Sequence, residues 1–353
     1  MTTSPKRLTV ALDAEHMRQA AAGISRYAQG LATALRVRGD VTVIELGGGE
    51  VLPRGTLRKR LATARQDFLW YPVMGRRRAR KAGADIYHIP LPRGPVRAGK
   101  PPLVVTVHDL VPLLFPETVT PWSRIYSRLT LRRLLDSADM ILTDSADSAD
   151  DLRSLLHIPD DRIRVVHIGI DDSFFRAPPD SAASTTREPY VLFVGTPEPR
   201  KNLDRLIAAV TLLRERGSNE RLVIVGGGGW GVASGDAPFV ERLGRVPETE
   251  LVSLYRHASC LALPSLHEGF GLPALEAMAA GTPVVAGRVG ALPEITSGAA
   301  ILVDPLNVDD IAHGIERCIQ NRTRLVAAGA ERAKDFRWEK AAAETMAAYR
   351  SLL

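Results

Sequence analysis

Glu268 and Glu276, with seven residues between them in PSLHEGFGLPALEAMAAGTPVV (264–285), are the carboxylates whose local setting points most directly to chemistry. A short strand-like run, Ser259–Leu263, leads into the glycine-rich turn Gly269-Phe270-Gly271. Pro273 then opens a helix, where its missing N–H is no loss, and Gly281 closes it. Such a turn brings backbone N–H groups and a helix N-terminus up to an anionic ligand. One carboxylate stands before the helix and one lies in its first turns, so both can accept hydrogen bonds from hydroxyls beside a phosphate. That combination suits a sugar nucleotide.

A second constellation is Val194-Gly195-Thr196-Pro197-Glu198-Pro199-Arg200-Lys201-Asn202-Leu203. A strand ends at a glycine, and two cations stand at the mouth of the next helix. Arg binds phosphate oxygens in bidentate fashion and Lys acts as a point charge. A departing diphosphate needs such neutralisation. The third is Val104–Leu110, a buried-looking strand that ends in His108-Asp109. A lone histidine is more often structural than catalytic, but this one stands at a strand's carboxyl end, where open α/β sheets bind ligands.

The elements that must carry these residues alternate between strand and helix patterns, which argues for parallel sheets. In the first half, strands are expected at Leu8–Leu12, Val41–Leu46, Ile86–Ile89, Leu103–Val107 and Met140–Thr143, with a weaker one at Val165–Ile168. Helical periodicity covers Ile24–Arg36, Trp122–Ser137 and Ser145–Leu156. Residues 177–189 are rich in Pro, Ser and Thr, lack periodicity and are expected to form an exposed linker. The pattern then restarts. Strands are expected at Tyr190–Val194, Leu222–Val225, Leu261–Leu263 and Val284–Ala286. Helices are expected at Leu203–Arg216, Glu248–His257, Asp309–Gln320, Thr323–Phe336 and Trp338–Leu353. The expected domains are 1–176 and 190–336, both Rossmann-like, facing across a cleft, with 337–353 as a final helix.

Composition agrees with an α/β protein. The chain has 353 residues, of which 45% are hydrophobic and 24% charged, enough for two full cores. No apolar signal region opens it, and no uninterrupted apolar run is long enough to span a membrane. The two cysteines, Cys260 and Cys318, lack metal-ligand spacing and are expected to be core thiols in a reducing cytoplasm. The net charge is +6, with a concentration of cations between residues 54 and 81. Arg54, Arg58, Lys59, Arg60 and Arg65 precede Phe68-Leu69-Trp70-Tyr71, and Arg76, Arg77, Arg78, Arg80 and Lys81 follow. Either this segment rests on an anionic membrane surface, or it is a solvated helix face with its aromatics turned into the core. No nucleic-acid module accompanies it, so no nucleic-acid partner is expected. Gly226–Gly231 fits G-x-G-x-x-G after a strand, but the following residues read as loop, so no dinucleotide cofactor is expected.

The segment 264–285 closely resembles the E-x7-E element of retaining family 4 glycosyltransferases, and Gly195–Lys201 resembles the G-x-x-x-x-R-K element of the same family. HDLVPLLFPE (108–117) resembles a subgroup rich in mannosyltransferases. The resemblance covers most of the chain, most strongly 190–303. It implies an α/β GT-B fold whose last helix crosses back to the first domain, which binds the acceptor. It implies that Arg200 and Lys201, with Gly195 and the amides near Phe270, Gly271 and Leu272, hold the donor diphosphate. Glu276 is implied to bind the ribose, and backbone groups near Val246, with Arg245, the base. Glu268 and His108 are implied to orient the transferred sugar and stabilise its cationic character. Gly23-Ile24-Ser25-Arg26-Tyr27 resembles the family's G-I-G-R-Y turn near donor phosphates and acceptor, with Ser25 in place of a glycine whose absence limits close backbone approach. His167–Asp171 resembles a short N-G-V-D element before the linker.

The expected activity is retaining transfer of a hexose from a nucleoside-diphosphate sugar to a hydroxyl of a saccharide, lipid-linked or natural-product acceptor. GDP-mannose is favoured as donor, with UDP-N-acetylglucosamine, UDP-glucose and a deoxysugar donor open. No Asp-x-Asp stands at a donor site, and Asp144–Asp151 (DSADSADD) has the spacing of a helix N-terminus, so metal-independent activity without a cofactor is expected. A cytoplasmic location is expected, with a peripheral position at the inner face of the membrane as an open variant. The rivals are a phosphorolytic or hydrolytic enzyme on the same scaffold, and a nucleotide-sugar-binding regulatory subunit without transfer activity.

Overall fold

The computed structural model describes residues 7–14, 22–47, 62–63, 65–94, 96–119, 121–176, 188–227 and 237–353. Two units result, one comprising residues 1–169 with 337–353, the other 170–336. The division falls at Gly169, ahead of the linker read from composition, whose residues 177–187 lie outside the described residues.

The first unit is built on a six-stranded, all-parallel sheet in the order β2-β1-β3-β4-β5-β6. These strands are Leu8–Asp13, Val41–Leu46, Ile86–Ile89, Leu103–Val107, Met140–Thr143 and Ile163–Val165 for β1 to β6. Its central strands are buried on both faces, which is why β4 reads LVVTV without alternation. The last strand lies earlier than its apolar residues suggested. Only Ile163 of β6 is buried, and Val166 and Ile168 pack beyond the strand's end.

The C-terminal helix Trp338–Arg350 packs on helix Ala22–Val37 within this unit. Trp338 sits so close to Gly30 and Gly169 that a Cβ at either would lie 2.1 or 2.5 Å from it. Arg350 reaches Asp40 at 2.7 Å.

The basic-aromatic segment resolves into two kinds of residue. Trp70 and Tyr71 are core side chains on a π-helical stretch, Gln66–Met74, that periodicity did not reveal. Trp70 Nε1–H donates to the buried Asp13 carboxylate at 2.7 Å. Arg76, on helix Gly75–Lys81, is also buried, donating to the carbonyls of Pro101, Arg97 and Gly99. Arg77, Arg78, Arg80 and Lys81 are exposed, while Arg54, Arg58, Lys59 and Arg60 lie outside the described residues. For the described part, the reading with aromatics turned into the core is the one that holds.

The second unit holds β7 (Tyr190–Val194), β8 (Arg221–Val225), β9 (Val240–Gly244), β10 (Cys260–Leu263), β11 (Val284–Gly287) and β12 (Ile301–Val303). They form an all-parallel sheet in the order β12-β11-β10-β7-β8-β9. Counted within the unit, this is the 3-2-1-4-5-6 order of a doubly wound fold, whose direction reverses between β7 and β10. Strands β9 and β12 escaped the sequence reading. β9 is a half-exposed edge strand, VERLG, and β12 has three residues, so neither shows a usable period. Helices Leu203–Glu215 and Val308–Gln320 cover one face, and Leu272–Ala279 packs against Arg322–Ala333. Cys260 and Cys318 are buried free thiols.

Candidate functional site

In the second unit, the loops after β7 and β10 meet where the strand order reverses. A short helical turn, Pro199–Lys201, presents the two cations, and Asn202 then takes a left-handed conformation with φ 59° before helix Leu203–Glu215 begins. After β10, residues Pro264–Gly271 carry Glu268 to the start of helix Leu272–Ala279. Gly271 caps that helix at φ 97°, where a Cβ would lie 2.7 Å from Leu292. Glycine is therefore required by conformation and space together.

Lys201 Nζ donates to both Glu268 oxygens, at 2.7 and 2.9 Å. Arg200 donates to Glu268 Oε2 at 3.3 Å and to the His267 carbonyl at 2.5 Å. Ser265 Oγ–H donates to Glu268 Oε1 at 2.6 Å. Burial raises the Glu268 pKa, but the charges of Lys201 and Arg200 outweigh it and hold the carboxyl down to about 2. Glu268 is thus ionised although only 6% exposed. Gly290, at φ 56°, packs on the Glu268 backbone, where a Cβ would lie 2.4 Å from its carbonyl oxygen.

Glu276 is buried one turn into the helix and accepts a 2.8 Å hydrogen bond from the Tyr255 hydroxyl. Gly195 follows β7 and ties it to β8 through N–H donation to the Val225 carbonyl at 2.9 Å. Phe270 is buried edge-to-face against Phe336, with centroids 5.9 Å apart, so Phe270 offers its backbone rather than its side chain. Val246 is half-buried and Arg245 exposed just beyond β9. Gly228–Gly231 of the glycine-rich run lie outside the described residues.

In the first unit, His108 follows β4. A carbonyl and a carboxylate can only accept, so its Nε2–H donates to the Pro90 carbonyl at 2.9 Å and its Nδ1–H to Asp144 at 2.5 Å. The imidazolium satisfies both partners. Burial lowers the His108 pKa, yet the Asp144 charge and hydrogen bond outweigh it, and the net direction is upward. The Tyr27 ring packs edge-on against His108, 4.7 Å between centroids. Behind it runs a buried chain. Tyr27 and His88 both bond the Thr106 hydroxyl, at 2.9 and 2.8 Å, and His88 Nδ1 meets the Tyr349 hydroxyl of the C-terminal helix at 2.6 Å. Burial, then the charge of His108, push the His88 pKa down to about 3, so His88 is neutral.

The stretch Asp144–Asp151 opens a helix, Ala146–Leu156, as its spacing indicated, with Asp147 in the first turn and Ser145 as the cap, its Oγ accepting from Ser148 N–H at 3.1 Å. Asp144 stands between the end of β5 and that cap, buried. One expectation changes here. Gly23–Tyr27 is not a separate turn, because helix Ala22–Val37 already contains it. Gly23 is exposed with open space where a Cβ would stand, and Ser25 Oγ accepts from Gln29 in the same helix at 3.2 Å.

Sequence reading also missed partners. Asn202 Nδ2–H2 donates to the carbonyls of Pro264, 2.9 Å away, and Pro305, 2.6 Å away, pinning the loops after β7, β10 and β12 together. Only the exception to right-handed backbone that asparagine tolerates could have flagged it. Tyr255 and Ser265 gave no signal of their own. Asp144 was legible only as a carboxylate at the end of one strand, beside a histidine at the end of another.

Two parallel six-stranded sheets with cations and carboxylates at the switch point of the second define a GT-B glycosyltransferase. Among solved structures, sucrose-phosphate synthase from Thermosynechococcus elongatus superposes with a TM-score of 0.74 at 22% identity, covering 98% of this chain and 99% of that one. Anabaena HepE in complex with UDP-glucose gives 0.70 at 16%, covering 98% and 100%. The family description Glycosyltransferase Family 4 matches residues 21–174, and Glycosyl transferases group 1 matches 177–337. The O-antigen chain mannosyltransferase B of Escherichia coli is 35% identical over 292 residues, 76% of this chain and 74% of that protein. The D-inositol 3-phosphate glycosyltransferase of Corynebacterium glutamicum is 32% identical over 277 residues, 70% of this chain and 66% of that protein. The chain belongs to glycosyltransferase family 4.

Proposed function

We propose that the chain transfers a hexose, with retention and without a metal ion, from a nucleoside-diphosphate sugar to an acceptor hydroxyl, and that GDP-mannose is the donor. The observation that carries this reading is the Arg200–Lys201–Glu268 cluster at the β7/β10 switch point, where doubly wound sheets take their ligands. The diphosphate draws Arg200 and Lys201 away from Glu268 and adds the amides near Phe270–Leu272 at the helix N-terminus. The Glu268 carboxylate, ionised and released from part of its pairing, then faces the sugar as positive charge develops at its anomeric carbon. Glu276 holds the ribose hydroxyls, and the Val246 and Arg245 region meets the base. With both N–H groups committed, His108 offers the sugar the side of its ring rather than a hydrogen bond, and charge stabilisation rests on Glu268. The leaving phosphate accepts the acceptor's proton on the same face.

The mannosyl choice is supported by the similarity to the E. coli O-antigen chain mannosyltransferase. A UDP-sugar is the second reading, favoured by the UDP-glucose bound to Anabaena HepE. Calorimetric titration with GDP and UDP, in EDTA, separates them. Tighter GDP binding supports the mannosyl donor. Tighter UDP binding overturns it and leaves the reaction class. Binding that returns only on adding a divalent cation overturns metal independence.

A further inference from the structure

Helix Pro121–Ser137 of the first unit has an inner and an outer apolar face. Tyr126, Leu131, Leu134 and Leu135 are buried. Trp122, Ile125 and Leu129, spaced i, i+3, i+7 along the other side, are 50%, 51% and 61% exposed. The helix carries Arg124, Arg128, Arg132 and Arg133 against one carboxylate, Asp136, so four positive charges less one negative leave +3. Asp136 pairs with Arg132 at 2.9 Å. Arg124, Arg128 and Arg132 stand at i, i+4 spacing, where like charges repel unless an external anion lies over them. Trp122 is fixed at the helix start beside Tyr126, 6.0 Å between centroids, and Arg93 lies over the Tyr126 ring at 5.1 Å.

We propose that this helix docks the chain on an anionic lipid bilayer, lying in the interface. An apolar stripe with a Trp, flanked by arginines whose stems can cover hydrocarbon while their heads meet phosphate, fits that surface on both counts. A second copy of the chain would set +3 against +3 in a two-fold contact. A nucleic acid would satisfy the arginines and leave Ile125 and Leu129 wet. Among the described residues no helix is long and apolar enough to cross a membrane, so the contact is peripheral. The docking helix is distinct from the basic-aromatic segment, whose Trp70 and Tyr71 are core residues.

The test is co-sedimentation of the full chain with phosphatidylcholine vesicles, with and without phosphatidylglycerol. Binding is expected only with phosphatidylglycerol and is expected to weaken as salt rises. R124Q/R128Q weakens it about 25-fold, about fivefold per arginine removed from an anionic surface. W122S/I125S/L129S abolishes it. All these side chains are exposed, so both variants keep the wild-type melting curve and nucleotide affinity, which separates this docking from the donor reading. No vesicle binding by the wild-type chain overturns the proposal, as does wild-type binding by either variant. A wild-type dimer that the triple variant converts to monomer, with vesicle binding unchanged, overturns it in favour of a second copy.

Discussion

Among the described residues, each unit holds a buried ionic cluster at the carboxyl end of its sheet, and the two clusters have opposite construction. In the second unit a carboxylate, Glu268, is gripped by two cations and a hydroxyl. In the first, a cation, His108, is held by one carboxylate and one carbonyl. The difference lies in what each has left to give. An ammonium carries three N–H groups and a guanidinium five, so Lys201 and Arg200 can give an arriving anion part of what they now give Glu268. His108 has two N–H groups and both are committed. On the proposed reading the second unit exchanges partners, while the first holds one ring in place.

The largest test of that contrast is E268Q. The glutamine keeps the size and the hydrogen-bond acceptor but loses the charge. Transfer is expected to fall about a thousandfold while nucleotide binding changes little. Near-normal turnover would remove Glu268 from the mechanism. The same variant should lose an acid limb of stability. A carboxyl held down to about 2 contributes fully above its ordinary value near 4.5 and loses its contribution as pH falls toward 2, in total roughly 3 kcal/mol. Urea unfolding of wild type and variant between those pH values reads the difference directly.

K201M comes next. It strips the closest cation from a buried carboxylate, which costs about 3 kcal/mol, and K201M/E268Q should recover most of that without recovering transfer. If the single and double variants melt alike, the pair is not coupled. Smaller still is N202A, which frees two buried carbonyls from their shared donor. A loss of about 1–3 kcal/mol is expected, with a lowered kcat, because the loops bearing Arg200 and Glu268 lose their common pin. The smallest effect belongs to D144N. The raised pKa of His108 adds stability that is complete below about 6.5, the ordinary histidine value, and is lost as pH rises through the folded-state value. D144N should shift the His108 titration, followed by NMR of the ring protons, downward and bring that loss to lower pH. An unmoved titration would mean that Asp144 does not hold the charge.

Much of this was readable along the chain. Glu268, Gly271, Pro273 and Glu276 belong to one contiguous string, as do Gly195, Arg200 and Lys201, and hydrophobic runs with glycine and proline stops located most strands and helices to within a few residues. Strands β9 and β12 were not readable, being too short or too exposed to show a period. Nor was the π-helical stretch around Trp70, which has no apolar spacing of its own.

The sequence by itself determined local conformation and the chemical types at the site, because both depend on neighbours a few residues away. Only the tertiary structure decided which strand ends are adjacent, and so which types meet. Lys201 reaches Glu268 across 67 residues, His108 reaches Asp144 across 36, and Asn202 reaches Pro305 across 103. Strand order sets those meetings, and the parallel pairing of buried strands is a property of the whole sheet that no single segment encodes.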